Sequence, residues 1–177
     1  MLAALTGVGI GWARGGCIRA LGSVPLKNLP FLGIAVVLVL VARAARVPPP
    51  GARALLAAGD LGALVVLWRN RRLPWMSVLF IGLALNTLVM LANGGRMPVT
   101  AQVLGLVALG SGDPWYTVAG PDTRWALLGD VLPVRIGGLG AVLSVGDLLM
   151  AIGLAGFVAR QMRREASPRR AGRHMID

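Results

Sequence analysis

The sequence predicts an all-α integral membrane bundle of about five transmembrane helices, with a long outer loop containing a short interfacial helix. Three observations predict it. Apolar residues make up 56% of the 177-residue chain and charged residues only 14%, where a soluble domain carries roughly 25% charge. Long uncharged stretches alternate with short arginine-rich ones, the pattern of a chain whose solvent is lipid. All five tryptophans and the single tyrosine fall at the ends of those stretches or in the loop, where an apolar ring with a polar edge suits the membrane interface. The length bounds the chain to one unit, read as a transmembrane helical domain over 1–159 and a basic cytoplasmic tail over 160–177.

The first helix covers about residues 1–14, short against the roughly 20 residues of a full span. It leans on Arg14 reaching for the interface or continues through Gly15 and Gly16. Gly7, Gly11 and Gly15 recur at four-residue spacing and stack on one face that a neighbouring helix can approach closely. Arg14 and Arg19 follow the apolar run instead of preceding it, which argues for a retained helix over a signal peptide. The second helix covers about Leu29–Ala45, with Pro30 tolerated in its first turn. Pro48, Pro49, Pro50 and Gly51 then break the chain.

A third helix, about Ala52–Trp68, contains Asp60. The short link Arg69-Asn70-Arg71-Arg72 makes it an antiparallel neighbour of the fourth, about Pro74–Ala92, which contains Asn86. Residues 93–138 form the long connection. Within it Val99–Gly110 is apolar but too short to cross a bilayer, so it lies in the interface or re-enters, and Ser111-Gly112-Asp113-Pro114 reads as a turn. The fifth helix, about Leu139–Ala159, contains Asp147 and is followed by Arg160, Arg163, Arg164, Arg169, Arg170 and Arg173.

Charge sets the orientation. With the C-terminus in the cytoplasm, twelve basic residues lie inside and six outside, and the reverse orientation inverts that ratio, so the positive-inside rule gives N-out and C-in. A net charge of +11 invites a nucleic-acid reading, but such proteins gather basic residues on a water-facing surface beside stacking aromatics. Here all but Lys27 of the 18 basic residues are arginines, and nearly all sit at the ends of apolar runs. The expected partners are the lipid bilayer and, at the basic tail, anionic lipids. A single cysteine, Cys17, and a single histidine, His174, leave no cluster for a metal or haem, and no cofactor is expected. Gly7-Val8-Gly9-Ile10-Gly11 lacks the strand–turn–helix setting of a nucleotide loop.

Three polar residues interrupt the spans at similar depth. At 1.5 Å rise per residue, Asp60 lies about 10 Å below the outer end of its helix, Asn86 about 9 Å and Asp147 about 9–12 Å. A carboxylate in hydrocarbon costs about 2.5–3.5 kcal/mol, so these groups should face the bundle interior. They either tie helices together or line a ligand site. In the loop above, Asn93-Gly94-Gly95-Arg96-Met97-Pro98-Val99 has two glycines that let the chain pass close to other groups. Arg96 could then fold back over the bundle mouth and neutralise Asp60 or Asp147. Later come Leu128-Gly129-Asp130 and Ser144-Val145-Gly146-Asp147, where Ser144 could cap a helix that starts below the surface.

These stretches, with Pro133, resemble a domain-of-unknown-function family of small bacterial multi-pass membrane proteins across nearly the whole chain. The resemblance implies a bacterial cytoplasmic-membrane address and no established activity. Separately, Val145-Gly146-Asp147-Leu148-Leu149 with Gly153 is similar to the last motif of lipoprotein signal peptidase, a membrane aspartic protease. That likeness implies Asp147 as one catalytic aspartate, with Asp130 as the substitute partner. The family's Asn-x-x-Asp-Arg motif is missing, because Val89 stands three residues after Asn86.

The first functional expectation is therefore a non-enzymatic protein that binds a lipid, ligand or partner protein in the outer half of the membrane. Its site would draw on Asp60, Asn86, Asn93, Arg96, Asp130, Ser144 and Asp147. The alternative is a membrane hydrolase acting on a lipid-linked or peptide substrate through Asp130 and Asp147.

Overall fold

A computed structural model describes residues 2–44, 47–104, 114–136 and 139–163. The tail from Arg164 onward, residues 105–110 of the apolar loop segment, and Ser111, Gly112 and Asp113 of the expected turn lie outside them.

Helix α1 (Leu2–Ala13) stops because Gly15 takes a φ of 74°. The amides of Gly15 and Gly16 then reach back to the carbonyls of Trp12 and Gly11, at 2.9 and 2.8 Å, closing a Schellman turn. A 3-10 turn over Ile18–Ser23 leads to α2 (Leu29–Ala44). The proline run proves to be the beginning of α3 (Pro49–Arg69), with Pro48 as its N-cap. A helix's first turn makes no use of its amide protons, so prolines fit there. Helix α4 (Met76–Ala92) starts after Trp75, which holds a φ of 70°, and ends where the Gly95 amide bonds the Met90 carbonyl at 2.8 Å.

The expected all-α fold needs correction in the long connection, which contains two small sheets. Strand β1 (Met97–Val99) pairs in parallel with β2 (Tyr116–Val118), and Asp130 bridges Val99 in parallel as well. Between β1 and β2 the expected interfacial helix is described only as the single turn α5 (Ala101–Leu104). A short 3-10 turn, Ala126–Leu128, precedes β3 (Leu132–Ile136), which pairs antiparallel with β4 (Leu139–Leu143). The fifth predicted helix therefore begins late, as α6 (Val145–Met162). A short apolar run such as 132–143 reads equally as strand or buried helix; here Ser144 caps the helix and leaves the preceding run to the hairpin.

The long helices pack as a row in the order α2, α3, α4, α6, α1. Gly7 and Gly11 face α6 as expected: a Cβ on Gly7 would sit 2.7 Å from the Ala155 carbonyl oxygen, and one on Gly11 would sit 2.6 Å from the Met162 sulfur. Gly15 leaves that face to make the turn. Met76, Phe157, Val158 and Met162 form a buried cluster with Val8, Leu21 and Leu73 against it. Large apolar side chains cover the outward faces instead of hiding, with Phe31, Ile34, Leu40, Val65 and Ile152 all more than half exposed. Helices α3 and α6 are long and apolar enough to cross a membrane, and α1, α2 and α4 are shorter apolar helices.

Asparagine clips close the two ends of the row. At one end the Asn70 side chain accepts from the Lys27 amide at 2.9 Å and donates to the Lys27 carbonyl at 2.9 Å. At the other end Asn93 does the same to Arg124, at 3.0 and 2.9 Å. The second clip ties the loop to the end of α4.

Candidate functional site

The motif at the start of α6 assigns each residue a separate task. The Ser144 hydroxyl accepts from the Asp147 amide at 2.9 Å, and the Asp147 carboxylate accepts from the Ser144 amide at 2.9 Å. This reciprocal pair is a capping box. Gly146 gives α4 room: a Cβ there would fall on the Asn86 carboxamide, and one on Gly82 would lie 2.8 Å from the Met150 amide nitrogen. Two helices that approach this closely aim Asn86 into the first turn of α6.

Asn86 then joins the cap. Its Nδ2 donates to Asp147 Oδ1 at 2.9 Å, and its Oδ1 lies 2.8 Å from the Ser144 hydroxyl. That hydroxyl is also 3.0 Å from Asp147 Oδ2, and with one proton it serves one of the two acceptors at a time. Asn86 and Ser144 are buried, so the cluster is a satisfied polar network between two helices. Asn86 and Asp147 thus meet, although Asp147 stands in the first turn of α6 and not deep within a helix beginning at Leu139.

Asp130 arrives from the loop. Gly129 passes so close to the Pro98 carbonyl that a Cβ would collide with it, and the Asp130 amide donates to that carbonyl at 2.8 Å. The segment thus adds itself to the free side of β1. The Asp130 side chain is 5% exposed, and its Oδ1 has no hydrogen-bond partner among the described residues. Burial pushes its pKa from 3.8 up to about 7, the nearby Asp147 adds to the rise, and Arg43 opposes it.

These groups face a cleft of about 240 Å³. Arg43, Asn86, Asp130 and Asp147 supply its charge and hydrogen bonding, and Trp115, Tyr116, Met90, Met97, Val142 and Leu143 supply its apolar wall. The Arg43 guanidinium stands 5.4 Å over the Trp115 ring, within cation–π range. Among the described residues no three His, Cys, Asp or Glu side chains gather to hold a metal.

Not every anticipated residue reaches the cleft. Asp60 lies on the α3 side of α4, in a separate void of about 10 Å³ with Arg53, Thr87 and Gly95. That void has room for about one water. Asn93 spends its amide on the Arg124 backbone and the Val89 carbonyl. Arg96, expected over the bundle mouth, has a buried Nε without a hydrogen-bond partner among the described residues, while the positive charge acting on Asp130 comes from Arg43. Arg43, Trp115 and Tyr116 were absent from the sequence-derived set. Their only signal was a cation ending one apolar run and aromatics in the loop, which read equally well as interface anchors.

Fold and cleft together define a small helical protein with two membrane-length apolar helices and a polar cleft at one end of its helix row. The chain belongs to DUF5317, a family of unknown function, whose pattern matches residues 25–159. This agrees with the domain-of-unknown-function membership that the motifs implied, and the matched region contains the whole cleft. The chain is also similar to an uncharacterized protein of Thermotoga maritima, 36% identical over 109 residues. That match covers 60% of this chain and 63% of the relative, so less than two thirds of the relative's length is spanned. No solved structure matches the chain.

Proposed function

We propose that this is a five-span protein of the bacterial cytoplasmic membrane whose outer-end cleft binds a small amphiphilic ligand through Asp130, without transforming it. The membrane reading is supported by the outward Leu, Ile, Val and Phe faces, which water would penalise at about 25 cal/mol per Å². It is supported also by the low burial of the two membrane-length helices, where a soluble core helix would be mostly buried. The N-out, C-in orientation puts Arg14, Lys27, Arg69 and Arg160 at the cytoplasmic end and the cleft at the outer end.

The observation that carries the binding reading is the Asp130 carboxyl, buried at the cleft wall with one oxygen lacking a partner. A buried polar atom left unpaired costs about 1–3 kcal/mol, and a ligand hydroxyl or amine would recover it. Trp115, Val142 and Leu143 would cover the ligand's apolar part. A hydrolase using Asp130 and Asp147 gains support from the electrostatic coupling of the two acids. Against it, both Asp147 oxygens already accept hydrogen bonds from Asn86 and Ser144, which ties that carboxylate to the helix cap.

Native mass spectrometry of the protein released from membranes tests the proposal. Wild type should carry a bound small molecule that Asp130→Asn loses while remaining folded. Equal retention by both proteins would remove Asp130 from the site, and recovery of a cleaved product from wild type alone would favour the hydrolase.

A further inference from the structure

At the opposite end of the molecule a second groove, of about 510 Å³, opens between α1, the start of α4 and the last turns of α6. This volume falls inside the roughly 300–1,000 Å³ of small-molecule sites. Small residues, Ala155, Gly156 and Ala159, form its floor, and Ile10 and Ile152 form its apolar sides. Three guanidinium groups, Arg14, Arg160 and Arg163, stand at its mouth, and none of the described residues that line it is acidic.

One wall is built under strain. Trp75 holds a φ of 70°, a left-handed conformation uncommon for a bulky side chain. The indole lies flat against Gly156, where a Cβ would overlap the ring. An indole at a groove mouth beside arginines matches the headgroup level of a membrane, where tryptophan prefers to sit.

We infer that this groove seats one anionic phospholipid of the cytoplasmic leaflet, with an acyl chain along Ile10 and Ile152 and the headgroup phosphate on Arg14, Arg160 and Arg163. The inference rests on the five-span, C-in reading, which puts this end in the inner leaflet. It is independent of the outer cleft. Charge complementarity selects the occupant: three cations with no acidic residue among the described lining call for an anion, and guanidinium pairs with phosphate through two parallel hydrogen bonds. The apolar floor continuing from the cations calls for that anion to carry a hydrocarbon chain.

The test titrates purified full-length protein in detergent with equimolar phosphatidylglycerol and phosphatidylcholine and reads retained adducts by native mass spectrometry. Wild type should keep one phosphatidylglycerol in preference to phosphatidylcholine. The triple variant Arg14→Gln, Arg160→Gln, Arg163→Gln should hold it about tenfold or more weakly. Ile152→Trp fills the groove and leaves every charge in place, and it should weaken retention similarly. Equal retention of the two lipids by wild type, or wild-type retention by either variant, would overturn the inference. Alkaline carbonate washing of membranes separates the two claims: protein that washes off defeats the five-span reading, whereas washing-resistant protein without lipid preference defeats only the lipid site.

Discussion

Asp130 shows how one residue couples burial to pH. Its pKa rises from 3.8 to about 7 in the folded protein, so the folded state binds that proton more tightly than the unfolded chain. The stabilisation is fully present below about pH 4 and is lost as pH climbs through about 7. Thermal midpoints of the detergent-solubilised protein should therefore fall across that window, and Asp130→Asn should flatten the decline; a wild-type profile unchanged by the substitution contradicts the burial. Asn86 and Asp147 were legible as polar interruptions of apolar runs but not as partners. Asp147 lies in the first turn of a helix that begins at Val145, instead of about 9–12 Å into one beginning at Leu139. Arg43 was not legible as part of the cleft. Its reach to the cleft depends on which way α2 faces α3, and a chain apolar on every side leaves that rotation unmarked.

At the scale of elements, the contact of α4 with α6 decides whether the cleft exists. Gly82 and Gly146 meet where any side chain would intrude on backbone or on Asn86. Gly146→Ala should destabilise the fold by about 1–3 kcal/mol through overpacking, and it should displace Asn86 from Asp147. Denaturation of the variant beside Leu148→Ala, an exposed change on the same helix, checks this, and equal midpoints would contradict the close approach. Ser144 was readable as a cap because Ser followed three residues later by an acid is a local signal. Gly146 was not, since its reason lies 64 residues away in Gly82. The first small sheet was missed for the same kind of reason, since β1 is three residues long and its partners come from distant parts of the loop. The β3–β4 hairpin was missed because a short apolar run reads equally as strand or helix. The start of α3 was misplaced because prolines that stop one helix also begin the next.

On the scale of the whole molecule, the arginines at the ends of the apolar runs carry the proposed orientation, because membrane insertion reads charge from sequence directly. The natural cysteine offers a probe of it. Cys17 is free and exposed, beside the Met162 carbonyl that its amide bonds at 2.9 Å, hence at the proposed cytoplasmic end. A membrane-impermeant thiol reagent should spare it in intact cells and label it in inverted vesicles, while Thr123→Cys in a Cys17→Ser background should behave oppositely. The reverse pattern would turn the cleft toward the cytosol. The ligand's identity was legible at no level, since an unpaired buried oxygen specifies a donor and leaves the rest of the molecule open. The central claim, that Asp130 is a protonatable acid waiting in an apolar-walled cleft for a ligand, meets its most direct test in carboxyl labelling. A hydrophobic carbodiimide adds to protonated carboxyl groups, and peptide mapping locates the adduct. The account predicts labelling at Asp130 that declines as pH rises through about 7 and is blocked by whatever co-purifies with the protein. Labelling that bypasses Asp130, or that ignores both pH and the bound molecule, would contradict it.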